Sequence, residues 1–230
     1  MLKAEYSGKF ADVVYRSFEC THALGDTWAA TNYFLRISER LRKPIRVNAH
    51  FQSFKDFVLN IRPYFNSSGR IQFVDDPFEH KIGYCQMYSI GFLPTKIRWK
   101  RSKSNIIAYQ FDGKDMAEYK NLPPDVLANL LKSLNSRGYN TINVGGMKPM
   151  PFIIKTLAKC KLFVGCPSGL SHVAMSVKCP INLISWKIPQ FRINRIGGGI
   201  RGCQFLRDHA TWFRTPEEFL KSIKSSILYV

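Results

Sequence analysis

The chain is short of acid. Between Asp125 and Asp208 there is no Asp or Glu, while twelve Lys or Arg fall in the same stretch. Over all 230 residues, 34 Lys and Arg stand against 16 Asp and Glu, a formal +18. That balance points to a polyanionic partner: nucleic acid, a phosphorylated glycolipid or an anionic membrane surface. Other absences narrow the class. No apolar run reaches the length of a membrane span, and the opening MLKAEYSGKFADVV lacks the apolar block of a signal peptide. The cysteines, at 20, 85, 160, 166, 179 and 203, form no Cys-x-x-Cys pair, so neither a zinc site nor a disulfide framework is indicated. A cytoplasmic protein fits these features best. There is no Asp-x-Asp motif. The two acids of VDDPF, Asp75 and Asp76, adjoin on a strand-end turn and read as structural.

What is present is an alternation of strand and helix. In the second half, 106–111, 141–144, 162–164 and 181–186 read as strands. Pro123-Pro124 opens a helix carrying Leu127, Leu130, Leu131 and Leu134 on one face, with Gly138 beyond its end. A shorter helix covers 152–159, and another begins near Ser168. This βαβαβαβ order implies a parallel, doubly wound sheet. The first half repeats it more loosely, with strands at 13–18, 45–50 and 71–74 and helices after Asp26 and over 51–65. At the far end, Thr215, Pro216 and Glu218 spell a capping box for a last helix. The expected organisation is two small Rossmann-like domains facing a cleft, 1–104 and 105–214, followed by a C-terminal helix over 215–230. The basic segment KIRWKRSKSN, 96–105, is the expected linker.

The densest chemistry lies in KLFVGCPSGLSHVAMSV, 161–177. A buried strand ends in Gly165. A helix with Leu170, Val173, Ala174 and Val177 at i, i+3, i+4, i+7 follows. Between them sit Pro167, Ser168, Gly169, Ser171 and His172. Helix N-termini present unpaired N–H groups and partial positive charge, and glycine admits close approach, so this turn has the chemistry to grip a diphosphate. The plainer reading is a strand–turn–helix with Ser168 as N-cap and His172 solvated.

The stretch AKCKLFVGCPSGLSHVAMSVKCPINLIS resembles the nucleotide-sugar loop of the ADP-heptose:lipopolysaccharide heptosyltransferase family, matching at Ser168, Gly169, His172, Ala174 and Pro180. The family's acidic residue is replaced by Pro167. HALGDTWAATNYFLRISERLRKPIRV, 22–47, is similar to the family's N-terminal Gly-Asp motif, here Gly25 and Asp26. IIAYQFDGKDM places Lys114 where the family carries a phosphate-binding lysine, and RGYNTINVGG ends a strand at Gly145-Gly146.

The resemblance implies a compact GT-B glycosyltransferase, metal-independent and without a bound cofactor, using a nucleotide-diphosphate sugar as co-substrate. Gly25, Lys114, Gly145, Gly146, Ser168, Gly169, Leu170, Ser171 and His172 would hold the donor. Asp26 would be the base that activates the acceptor; its plain alternative is the N-cap of a helix over 27–42. For the acceptor, the charge favours a hydroxymethylated pyrimidine in double-stranded, viral-type DNA, gripped by Lys96, Arg98, Lys100, Arg101, Lys103, Arg192, Arg195 and Arg201. The alternatives are a lipopolysaccharide inner-core acceptor and a catalytically inactive relative that only binds nucleic acid or glycan. Peripheral contact with an anionic membrane is compatible with the same charge.

Overall fold

The computed structural model describes residues 14–17, 24–49, 51–82, 92–100, 104–113, 120–146, 148–187 and 209–223. The chain divides into two units, Met1–Lys96 and Ile97–Val230, each built on its own parallel sheet.

The first unit holds β1 (Val14–Ser17), α1 (Leu24–Leu41), β2 (Ile45–Asn48), α2 (Gln52–Ile61), a 3-10 turn (Arg62–Tyr64), β3 (Ile71–Val74) and β4 (His80–Ile82). The strand order is β3-β2-β1-β4, and every ladder is parallel. Alternation along β2 turns Ile45 and Val47 into a core shared with Ala30, Tyr33, Phe34 and Ile37 of α1 and Phe54 and Val58 of α2. Arg46 and Asn48 stand on the opposite face. There Arg46 pairs with the Asp76 carboxylate and Asn48 donates to the Asp76 carbonyl at 2.8 Å. The five residues joining β3 to β4 therefore cross the sheet without a helix, held down at Asp76. Trp28, fully buried, packs on Phe65 with ring centroids 4.5 Å apart.

The second unit holds β5 (Ile106–Gln110), α3 (Pro124–Ser136), β6 (Asn140–Asn143), α4 (Met150–Lys159), β7 (Leu162–Gly165), α5 (Gly169–Val177), β8 (Ile181–Ile184), β9 (Ala210–Phe213) and α6 (Pro216–Ser222). Its order is β6-β5-β7-β8-β9, again all parallel. The expected α/β class with two Rossmann-like sheets is what the chain forms.

Four details differ from the sequence reading. β9 is an additional strand, paired along β8. The C-terminal helix is not a separate piece: Phe219 is fully buried in the core with Ile107, Leu134 and Val164, and the Arg137 guanidinium caps the carbonyls of Leu220 and Ile223. Its N-terminus is held as expected by Thr215 Oγ1, which accepts from the Glu218 amide, but Glu218 reaches back to the amide of Arg214 and not to that of Thr215.

The fourth concerns the joint. Division falls at 96/97, ahead of 104, because both sides of that point are anchored. The Lys96 amide donates to Tyr64 O at 2.8 Å in the first unit. Three residues later the Trp99 amide donates to Val177 O, and its indole N–H to Cys160 O, both at 2.7 Å. Trp99 thus clasps the C-terminal ends of α4 and α5, and most of the expected linker belongs to the second unit.

Candidate functional site

In an open parallel sheet, ligands bind beyond the carboxyl ends of the strands, where the direction of winding reverses. The order of the second sheet puts that reversal between β5 and β7. The strand–turn–helix motif at 161–177 enters there. Gly165 is paired with Gln110, and a Cβ on it would lie 2.6 Å from the Gln110 carbonyl oxygen and 2.8 Å from the Phe163 ring. Glycine is what lets β7 close onto β5 at this point.

The turn that follows is organised by hydrogen bonds from β5. Ser168 takes the N-cap position of α5 with extended backbone. Its amide donates to Ser171 Oγ at 3.2 Å, while its hydroxyl donates to Gln110 Oε1. Gln110 Nε2 then donates to Asp112 Oδ1 at 2.6 Å, and Asp112 Oδ2 accepts from the Gly146 amide. A continuous chain of bonds therefore runs from the head of α5, across the end of β5, to the turn after β6. A second brace closes the same edge: Asn121 accepts from the Gly113 amide at 2.8 Å and returns a bond to its carbonyl at 3.0 Å. Cys166 Sγ lies 3.6 Å from Asn121 Oδ1. Burial pushes its thiol up to about 11, so it serves packing and not nucleophilic attack.

Several expected donor residues meet here, though in altered roles. Gly145 and Gly146 lie at the site, but their amides are engaged with Asn143 Oδ1 and Asp112. Gly145 is glycine because a Cβ would fall 2.5 Å from Asp112 Oδ2. Ser168 caps α5, and Gly169, Leu170 and Ser171 form its first turn; the Ser168 amide donates to Ser171 Oγ and the Ser171 amide to Ser168 O at 3.1 Å, leaving Gly169 and Leu170 as the amides without an intrahelical acceptor. His172 is buried, at 4% exposure, and not solvated as its plain reading had it. Burial, reinforced by the charge of Lys120, lowers its pKa to about 3. It is neutral at physiological pH and brings no cation to the site. The cation is Lys120, whose charge also reaches Cys166. Lys114 lies outside the described residues.

Sequence reasoning missed Gln110, Asp112, Lys120 and Asn121. The signal available was their position, from the last residue of the strand that precedes the switch point into the segment that follows it.

In the first unit, winding reverses between β1 and β4. The helix after β1 is α1, and it begins at Leu24, so Gly25 and Asp26 lie in its first turn. Asp26 is therefore not the N-cap. Its carboxylate sits where the helix dipole favours negative charge. Of the residues expected to grip an acceptor, Lys96, Arg98 and Lys100 are exposed, and Arg101, Lys103, Arg192, Arg195 and Arg201 lie outside the described residues. No helix among the described residues is long and apolar enough to cross a membrane.

No family model matches the chain, and no curated protein matches it by sequence. Solved structures do. The iron-containing dodecameric glycosyltransferase TibC from enterotoxigenic E. coli H10407 aligns over 75% of this chain and 57% of its own, at 16% identity and a TM-score of 0.51. A second TibC structure, the heptosyltransferase in complex with ADP-D-beta-D-heptose, aligns over 76% and 58% at the same identity and TM-score. The E. coli heptosyltransferase WaaC with ADP aligns over 94% and 97%, at 9% identity and a TM-score of 0.47. The chain thus spans under two thirds of the length of the TibC chains it matches. Among the described residues no group of three or more His, Cys, Asp and Glu is placed to hold a metal. The fold of this chain is the heptosyltransferase-like, two-Rossmann GT-B fold that the TibC structures share.

Proposed function

We propose that the protein is a glycosyltransferase of the heptosyltransferase type, moving a sugar from a nucleoside-diphosphate sugar to a hydroxyl acceptor. The observation that carries this reading is the switch-point edge of the second sheet. The Ser168–Ser171 turn is tied by its hydroxyl to Gln110, so the first turn of α5 is preorganised, and Lys120 adds positive charge beside it. Helix amides and a lysine are what a departing diphosphate needs as negative charge develops on it. The fold likeness to TibC, which has been seen with ADP-D-beta-D-heptose, supports a nucleotide sugar as the donor.

In this reading the diphosphate lies on the head of α5. His172 acts as a neutral support beneath the turn. Asp26, in the first turn of α1, has the role that the sequence resemblance implies, taking the proton of the acceptor hydroxyl. For the acceptor, the fold likeness to the heptosyltransferase TibC favours the heptosyltransferase-type alternative, and with it the lipopolysaccharide inner core that the sequence resemblance implies, over hydroxymethylated DNA. The high positive charge suits such a core equally well.

The test is a panel of ADP-, UDP- and GDP-sugars with either acceptor, read by release of nucleoside diphosphate and by the mass of the acceptor. Transfer from an ADP-heptose to the lipid core is expected. Binding of none of the donors would overturn the reading, and transfer to DNA alone would overturn the choice of acceptor.

A further inference from the structure

Two cysteines that the sequence scatters are brought together at the opposite, amino edge of the second sheet. Cys160 ends the turn after α4 and leads into β7; Cys179 follows α5 and leads into β8. Because β7 and β8 are neighbours in parallel register, with Phe163 opposite Ile181, the residues entering them also meet. The two Sγ atoms are 3.5 Å apart, and both residues are buried, at 0% and 4% exposure. Neither is a metal ligand by any cluster among the described residues, and the proposed reaction uses neither.

We propose that Cys160 and Cys179 form a reversible disulfide when the protein meets a peroxide. Neighbouring strands lie about 4.8 Å apart and their register offsets the two cysteines by a single residue, so the 3.5 Å between the sulfurs can close to a bond without any change of strand pairing. The reactivity of the pair is ordered. Contact with the Cys179 sulfur lowers the Cys160 pKa, while burial raises that of Cys179. Cys160 is thus the attacking thiolate. It takes one oxygen from the peroxide, which leaves as water once protonated, and becomes a sulfenic acid. Cys179 then attacks that sulfur, forming the S–S bond and releasing a second water. Two thiols lose two electrons in all, and the peroxide is reduced to two waters. Cys166 does not compete, since its raised pKa and its contacts with Gln110 and Asn121 keep it a thiol.

The ring so closed, 160–179, contains β7, the Cys166-Pro167-Ser168 turn and all of α5. It is the whole strand–turn–helix to which the proposed function assigns the donor diphosphate. A bridge across its base ties off that motif at the end away from the ligand. A disulfide of this kind in a reducing compartment is transient and regulatory, not a fixed framework.

The experiment is peptide mapping of the full-length protein after hydrogen peroxide and alkylation of the remaining thiols, without reduction. It reads the disulfide itself and is independent of whether any nucleotide binds. The expected result is a linked peptide joining Cys160 and Cys179, 2 Da lighter than the two thiol peptides together, abolished by dithiothreitol. The oxidised protein should also unfold at a higher temperature than the reduced protein, because closing the ring restricts the unfolded chain. Recovery of both cysteines as alkylated thiols or as separate overoxidised acids would overturn the proposal, as would their linkage to other cysteines. Cys160→Ser and Cys179→Ser should each lose the linked peptide and the thermal gain. Mapping of the wild-type protein decides the matter even if either variant folds poorly.

Discussion

Gly145→Ala tests the carboxyl edge of the second sheet most directly. The methyl group would start 2.5 Å from Asp112 Oδ2 and 2.6 Å from Cγ, where ordinary van der Waals contact begins near 3.4 Å. Asp112 must then swing away, giving up the Gly146 amide and the Gln110 amide together. Hydrogen bonds to a charged acceptor contribute about 1.5–3 kcal/mol each when enclosed. Asp112 is exposed, so water recovers part of that, and a loss of about 2 kcal/mol for the pair is expected. Asp112→Ala alone should cost a similar amount. In the Asp112→Ala background the same Gly145→Ala change meets no carboxylate and should cost almost nothing, leaving a coupling of about 2 kcal/mol between the two sites. Hydrogen exchange of the β5 and β6 amides reads this locally, without requiring the two units to unfold together. If Gly145→Ala costs as much without the carboxylate as with it, Asp112 is not what fills that space, and the bridge from β5 to the β6 turn has been misread.

Three further outcomes are expected. Asp26→Asn should lower sugar transfer by roughly 10²–10⁴-fold, with a stability loss of no more than about 1 kcal/mol from the weakened dipole interaction; a wild-type rate would remove Asp26 from the reaction. With the His172 pKa held at about 3 against an ordinary 6.5, only the unfolded chain takes up that proton between the two values. His172 therefore contributes stability that is complete above pH 6.5 and lost by up to about 1.4 kcal/mol per pH unit as pH falls towards 3; urea titrations of His172→Gln should show a shallower slope from pH 6.5 to 4, and an unchanged slope would contradict its burial. Lys178 holds the left-handed conformation after α5 at φ 64°, so Lys178→Gly should raise stability by about 0.5–1 kcal/mol, and thermal unfolding that is unchanged or lowered would count against that strain.

The alternation of elements was legible because each strand and helix carries its own period. The strands at 106–110, 162–165 and 181–184 are short, largely apolar runs between helices whose apolar residues recur every three or four positions, and 140–143 lies where the alternation calls for a strand. β9 was not legible. Ala-Thr-Trp-Phe is too brief to show a period, and its strand character comes from the open edge of β8. The turn at Ser168 could be found from its glycines and hydroxyls. Gln110 and Asp112 could not, since what makes them part of the site is the register that sets Gln110 beside Gly165. Segment 96–105 has the composition of a linker, yet a single Trp with two hydrogen bonds assigns its middle to the second unit. The start of α1 was placed too late because Asp26 has the chemistry of an N-cap, and such residues also favour the first turn itself.

The parallel order of the second sheet has a consequence for how the chain assembles. No two of its strands can zip together as a local hairpin, because a parallel pair needs a crossover between them. β5 must wait for β6 and β7, and β8 gains its outer neighbour only when residues 210–213 arrive, some 25 positions later in the chain. During synthesis from the N-terminus, the largely buried strand Ile181–Ile184 would present an open edge until residues 210–213 have emerged. Slow, non-local pairing of this sort exposes the nascent sheet to association with other chains. Truncations that remove β9 and α6 should therefore yield aggregates during expression, and not a smaller soluble domain.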